Sequence, residues 1–189
     1  MGKIKFTKTE LKKQQDAKKQ FERFLPTLQL KKQQLQMEVR HSMGLLEENA
    51  RKLAEFEERL AEFVSSLVEV ENIRRGELNI AGTGVPTLEG VDFKPVEIDL
   101  LTTDWYVDDA VEALRTAIVL RETRRVLEER CELLNAELRS TSQRVNLFEK
   151  VKIPECKENI RRIGIMLGDA NTSAVARCKI AKRKAAPAA

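Results

Sequence analysis

Apolar residues recur along the first seventy positions at 11, 14, 18, 21, 25, 28, 32, 35, 39, 42, 46, 49, 53, 56, 60, 63, 67 and 70, in alternating steps of three and four. Thirteen of these eighteen positions are apolar, from Leu11 and Phe21 through Leu35, Val39, Leu53 and Phe56 to Phe63, Leu67 and Val70. A period of 3.5 held this long predicts a left-handed coiled coil, because an ordinary 3.6-residue helix would drift off the seam. The polar seam positions Gln14, Lys18, Lys32, Ser42 and Asn49 weaken the seam and can fix its register. Glu47 with Arg51, Glu48 with Lys52 and Glu55 with Arg59 place acid before base four residues apart, the favourable order on a helix. Pro26 is the exception, since a proline inside a helix lacks a donor and crowds the carbonyl four residues back. The helix is either kinked near residues 22–26 or broken there, and the unbroken phase favours a kink.

A second stripe runs through 113, 117, 120, 124, 127, 131, 134, 138, 141, 145 and 148, with Arg124 and Thr141 the two polar exceptions. Its helix opens near Thr103 or Asp104, both good N-caps. Near Pro154 the phase slips. Ile153, Cys156, Ile160, Ile163 and Leu167 resume the stripe one residue out of step.

Between the helices lies a segment of different character, with Gly76, Gly82, Gly84, Pro86, Gly90 and Pro95. Residues 79–81 and 91–93 flank turn residues and are expected to pair as a β-hairpin, and Val96–Leu100 alternates as a third short strand would. Such strands need the helices to pack against. The expected organisation is mainly all-α: a long antiparallel two-helix left-handed coiled coil with a small β-hairpin insert. Its expected parts are an N-terminal helix over 1–75, an insert over 76–103, a C-terminal helix over 104–184 and a frayed tail over 185–189.

Composition supports long helices. Nine of the 189 residues are aromatic and thirteen are Gly or Pro, few for an all-β domain. No apolar run reaches 18 residues, so no span of a membrane is expected. The start, MGKIKFTKTELKK, has no apolar core of a secretion signal, and three widely spaced cysteines make no disulfide framework or CxxC site. A cytoplasmic protein is expected.

Charge is uneven along the chain. Residues 1–40 carry eleven Lys/Arg against four Asp/Glu, and residues 151–189 carry nine against three. The middle carries fourteen against twenty-three. A helical hairpin would bring the two basic ends to one pole, which would suit insertion into a partner; a solvated face is the plainer reading.

Candidates for catalysis do not assemble. Gly82–Pro86 lacks the Lys-Ser/Thr ending of a phosphate loop, His41 stands alone, and Cys131, Cys156 and Cys178 read as core or helix-face residues. Asp99, Asp104, Asp108 and Asp109 lack the spaced oxygens and glycine of a calcium loop, and suit helix capping and solvation. Trp105–Tyr106 is read as core packing or a partner contact. Lys12, Lys13, Lys18 and Lys19, and Lys179, Lys182, Arg183 and Lys184, form basic patches without a stacking platform, so no nucleic acid is expected. No catalytic residue, cofactor or metal is assigned.

Four segments carry a resemblance: KFTKTEL (5–11), LPTLQLKKQQLQMEV (25–39), RVNLFEKVKIP (144–154) and ENIRRIGIMLGDANTSAVARCKIAKRK (158–184). Together they are similar to the D subunits of V/A-type ATPases (ATP synthases), bacterial branch. The most specific block is Arg144, Val145, Asn146, Glu149, Ile153 and Pro154. Many other members have a glycine and an LLK-x-KRD-like run where this chain has Pro26 and LKKQQL. The resemblance implies a central rotor shaft, non-catalytic itself, that carries torque between a ring of A and B subunits and a membrane ion-translocating rotor. Implied partners are A and B, a small F subunit, and a C- or d-type stalk subunit above the rotor. Arg144, Asn146 and Glu149 are the first expected interface residues, with Arg161, Arg162, Lys179 and Lys182 next. A coiled-coil scaffold or adaptor would share the helical features but would not need the hairpin insert or the RVN…IP block.

Overall fold

The structure is a computed structural model that describes residues 5–60, 68–95 and 107–185. Among the described residues, three helices and two strands follow one another as α1 (Lys8–Leu60), β1 (Val70–Ile80), β2 (Thr83–Phe93), α2 (Val107–Asn146) and α3 (Ile153–Ala185). A π-helical turn, Leu147–Lys152, joins α2 to α3. The chain divides into two compact units: unit 1 takes Met1–Leu30 with Thr141–Ala189, and unit 2 takes Lys31–Ser140.

The first stripe is the buried stripe of α1. Every one of its positions from Leu11 to Phe56 is at least half-buried, and Leu35, Val39, Ser42, Asn49 and Leu53 are fully so. Pro26 lies inside α1 without breaking it. It is on the exposed side, where water can take the carbonyl that the missing N–H leaves free. Thr7 opens the helix, its hydroxyl accepting from the Glu10 N–H at 3.2 Å.

In unit 1, α1 pairs antiparallel with the end of α2 and with α3. The rings of Phe21 and Phe148 lie 5.0 Å apart, and Asn159 Nδ2 donates to Gln14 Oε1 at 3.4 Å. The expected phase slip near Pro154 is the π turn. The Ile153 N–H donates to the Phe148 carbonyl, five residues back. That widened turn absorbs one extra residue, so Ile153, Cys156 and Ile163 return to the buried side. Pro154 then sits in the first turn of α3, where a missing N–H costs least.

In unit 2, α1 and α2 are also antiparallel. Lys31 Nζ meets Glu137 at 2.7 Å and Arg130 meets Glu38 at 3.4 Å, flanking the seam as ion pairs do in coiled coils. Leu35 and Val39 of α1 and Leu134 of α2 enclose Val85 of β2, with Ile80 and Ala81 packed beside them. At the other end of the hairpin, Val68 joins Val111 and Leu114, with Phe93 and Ile118 alongside. The Arg115 guanidinium stands 5.7 Å above the Phe93 ring.

The hairpin is longer than its sequence suggested, and its pairing differs. Strand β1 begins at Val70, inside the span expected to be helical to residue 75. Val70 is therefore a strand residue, although it falls on the extrapolated heptad. Residues 79–81 do not pair with 91–93. Ile80 pairs Thr83 and Asn79 pairs Gly84, while Val91 pairs Ile73. The turn is the reason. Ala81 and Gly82 have φ of 51° and 80°, and Asn79 Oδ1 accepts the Gly82 N–H at 2.9 Å. Two successive left-handed residues make the tight turn whose twist suits a hairpin. Stripe positions Phe63 and Leu67, the proposed strand Val96–Leu100, the N-caps Thr103 and Asp104, Asp99, and Trp105–Tyr106 lie outside the described residues, as does the tail beyond Ala185.

Candidate subunit-interaction surface

The charge asymmetry read along the chain gathers into the two units. Unit 1 holds nineteen Lys/Arg against seven Asp/Glu, and unit 2 holds fifteen against twenty-three. Both basic ends of the sequence, apart from residues 31–40, therefore belong to one compact body. Within it, every residue of α3 from Gly168 to Lys184 is exposed. Val175 and Ile180 are 55% and 49% exposed on that stretch, beside Arg177, Lys179, Lys182, Arg183 and Lys184. An isolated helix gains little from propensity alone.

All seven expected interface residues are exposed. Arg144 and Asn146 end α2, and Glu149 is on the π turn. The widened turn spaces these three differently from an α-helix, and Leu147 and Val151 are exposed among them, at 44% and 49%.

Arg161 and Arg162 are already engaged. Glu158 accepts from Arg161 Nε at 2.9 Å and Nη2 at 2.8 Å, and from Arg162 Nε at 2.8 Å. These bonds to the two guanidinium groups hold the Glu158 carboxyl down at about 2. The same carboxylate raises the Arg161 pKa. A carboxylate holding two arginines fixes their direction, so that they present a formed, net positive surface. Lys179 and Lys182 lie further along α3, on the stretch that is exposed on all sides.

Sequence reasoning missed the second buried face of α2. Val111, Leu114 and Val126 are buried, and with Val107 and Ile118 they run beside the coiled-coil stripe. The signal was present: apolar residues at 107, 111, 114, 118 and 126 repeat at helical spacing on a neighbouring face. This face seats the hairpin. Arg75 of β1 adds ion pairs to Glu129 at 3.5 Å and Glu122 at 3.9 Å. Asp108 and Asp109 are in the first turn of α2, where the helix dipole favours acids. Among the described residues, no cluster of His, Cys, Asp or Glu is arranged to hold a metal ion. No helix among them is long and apolar enough to cross a membrane.

Comparison with known proteins bears on both helices and the hairpin together. The model of the ATP synthase D-subunit family matches residues 10–183. The V-type ATP synthase D subunit of Borreliella burgdorferi is 43% identical over 96% of this chain and 95% of its own length. Those of Chlamydia pneumoniae and of Chlamydia trachomatis serovar L2 are each 32% identical over 96% of this chain, covering 92% and 95% of their own lengths. The match takes in the basic ends, the π turn with Pro154 and the hairpin in one alignment, and the chain belongs to the ATP synthase D-subunit family.

Proposed function

We propose that this chain is the shaft of the central stalk, transmitting torque between the A/B ring and the ion-translocating rotor in the membrane. Membership of the D-subunit family makes it a central-stalk component of a V/A-type ATPase. The observation that carries the torque reading is the division of charge. Unit 1 is strongly basic and ends in a helix whose residues from Gly168 to Lys184 are all exposed, the surface expected of a part enclosed by other subunits. The acidic unit 2 carries the hairpin and would lie outside the ring.

In this reading the chain is not itself catalytic. It works at the cytoplasmic face of the membrane as a peripheral part of the assembly. An asymmetric shaft gives the surrounding subunits different environments, so their conformational states alternate with rotation. Its partners are A and B in the ring, a small F subunit on the side of the stalk, and a C- or d-type component below. Arg144, Asn146 and Glu149 contact neighbours first; Arg161, Arg162, Lys179 and Lys182 form the bearing contacts.

Co-expression with A and B from the same organism, followed by mass measurement, tests the reading. One copy of this chain for three A and three B, with a gain in sustained ATP turnover, is the expected result. Self-assembly into a symmetric helical bundle without A or B would overturn it in favour of a scaffold. Charge reversal at Arg161 and Arg162 should weaken the assembly; unchanged assembly and turnover would remove the bearing role.

A further inference from the structure

We infer that the outer face of α1 from Phe24 to Gly44 docks an α-helix of a neighbouring protein, one that presents an uncharged face. The inference rests on the central-stalk reading, which supplies the neighbours.

Exposed charge leaves α1 abruptly over this stretch. From Lys12 to Arg23, six of the eight exposed residues are charged. From Phe24 to Gly44 only one of thirteen is, Arg40. From Glu47 to Glu55 the figure returns to five of six. The other charged residues of the stretch turn towards the coil. Lys31 and Glu38 pair with Glu137 and Arg130 of α2, and Lys32 is half-buried on the seam. Large apolar side chains point outward instead: Phe24, Leu30, Met37 and Met43 are 55%, 59%, 63% and 48% exposed. The other helix of the coil has no such gap. From Arg124 to Arg139 of α2, six of the eight exposed residues are charged. Solvation alone gives no reason for two paired helices to differ in this way. Loss of Lys and Glu with retention of Phe and Met is the composition of the covered core of an interface.

The same surface specifies its occupant. A helix spends its main-chain groups on itself, so α1 has no row of free donors and acceptors to offer. An extended chain laid on it would bury its own N–H and C=O groups unpaired. An incoming helix has already paired its main chain and needs only side chains to meet. Charge sets the second property. Apart from an acid placed at Arg40, an ionised side chain on the contacting face would lose water and find no counter-ion. Amides and hydroxyls are met by the exposed Gln33, Gln34 and Gln36, whose amides both donate and accept. Apolar residues are met by Met37 and Met43, which adapt to the shape they contact. The stretch is about 30 Å long, room for a helix of about five turns.

The test places photo-reactive p-benzoylphenylalanine at Leu30 in one variant and at Met37 in another, each in the assembled, purified complex. The adducts are mapped by mass spectrometry. Both positions should capture one neighbouring protein, at residues about seven apart, because the roughly 10 Å between the two positions is seven residues of a helix but about three of an extended strand. Met37→Glu should weaken retention of that neighbour about tenfold, since it puts an unpaired charge into the contact. The melting temperature of the unbound chain should not change, because the side chain is already exposed. Gln34→Glu should act in the same direction, and Glu47→Gln, in the charged stretch beyond, should have no effect. Assembly without adducts, adducts confined to this chain or to a second copy of it, captured residues about three apart, or retention indifferent to both Met37→Glu and Gln34→Glu would overturn the inference alone. Failure of this chain to join A and B would overturn the central-stalk reading, and the inference with it.

Discussion

The Ile153 N–H reaches back to the carbonyl of Phe148, not to that of Glu149. The five-residue step of this π turn accounts for the change of phase between the two halves of the C-terminal stripe. Before it, Thr141, Val145 and Phe148 face inward; after it, Ile153, Cys156 and Ile163 do. One residue in the π turn is surplus to an α-helical path. Deleting Lys150 should therefore leave both stripes in phase, with a melting temperature within a few degrees of the parent. Deleting Glu132 from the middle of α2 should rotate everything beyond it by about 100°, expose several buried side chains and cost several kcal/mol. Circular dichroism melts of the two deletions decide the matter. Equal damage from both would show that the turn has a role besides phase.

Much of this was legible in the sequence, for physical reasons. A seam repeating every 3.5 residues has no other economical explanation, so the α1 stripe from Leu11 to Phe56 could be read position by position. The slip at Pro154 was visible too, because the buried residues on either side carry the count. The hairpin register was less legible. Ala81 takes a left-handed conformation usually left to Gly or Asn, so the turn was not marked by the common Asn-Gly pair. The start of β1 was masked by Val70, which satisfies both a heptad and a strand. The expected interface residues could be named only through resemblance, since exposure and charge are shared by any solvated helix. What local pattern could not give was how Glu158 organises Arg161 and Arg162.

The hairpin turn offers a clean conformational test. Gly82 has φ of 80°, and nothing lies within 4 Å of where its Cβ would be. Gly82→Ala should cost about 1 kcal/mol through backbone strain alone, and Gly82→Val more, because a β-branched residue tolerates that conformation least. Denaturant melts of the two variants measure the difference. An unaffected Gly82→Val would mean that the turn adopts another form.

Leu35 ties three elements together. It is fully buried with Val85 of β2 and Leu134 of α2. Leu35→Ala should destabilise the chain by about 2–5 kcal/mol, the range for emptying a packed site. Val85→Ala, a smaller loss, should cost less. Because the two side chains share one cluster, the double variant should cost less than the sum, and a double-mutant cycle on denaturant midpoints reads the coupling. Strict additivity would show that the hairpin does not pack on α1.

The three cysteines should separate by reactivity. Cys178 is exposed on α3, Cys131 is half-buried and Cys156 is buried. Burial pushes the thiols of Cys131 and Cys156 above the usual range, and the nearby Glu155 carboxylate adds to the effect at Cys156. Fewer thiolates and less access both slow alkylation. With iodoacetamide at mildly alkaline pH, followed by peptide mapping, Cys178 should be modified first and Cys156 last. Because Cys178 lies on the stretch assigned to the ring, it should also be protected when the chain is bound to A and B. Early labelling of Cys156 would show that α3 opens readily from α1.

The Glu158 pair with Arg161 and Arg162 has a defined pH signature. Its carboxyl titrates at about 2 in the folded chain against an ordinary value of 4.5, because both guanidinium groups bond to the ionised form. The folded-state pKa is depressed, so the contribution is fully present above 4.5, and it is lost as the pH falls from there towards about 2. At neutral pH, small shifts should leave it untouched. These groups are exposed, so salt should weaken the effect. Carboxyl NMR titration of Glu158 gives the midpoint directly, and Glu158→Gln should remove this part of the acid dependence of stability. The same variant should leave Arg161 and Arg162 without their common acceptor and loosen the positive surface they form. If that surface bears against the ring, Glu158→Gln should alter the salt dependence of assembly even where the melting curve hardly moves. A midpoint in the ordinary carboxylate range would show that the two arginines are free of Glu158 in solution.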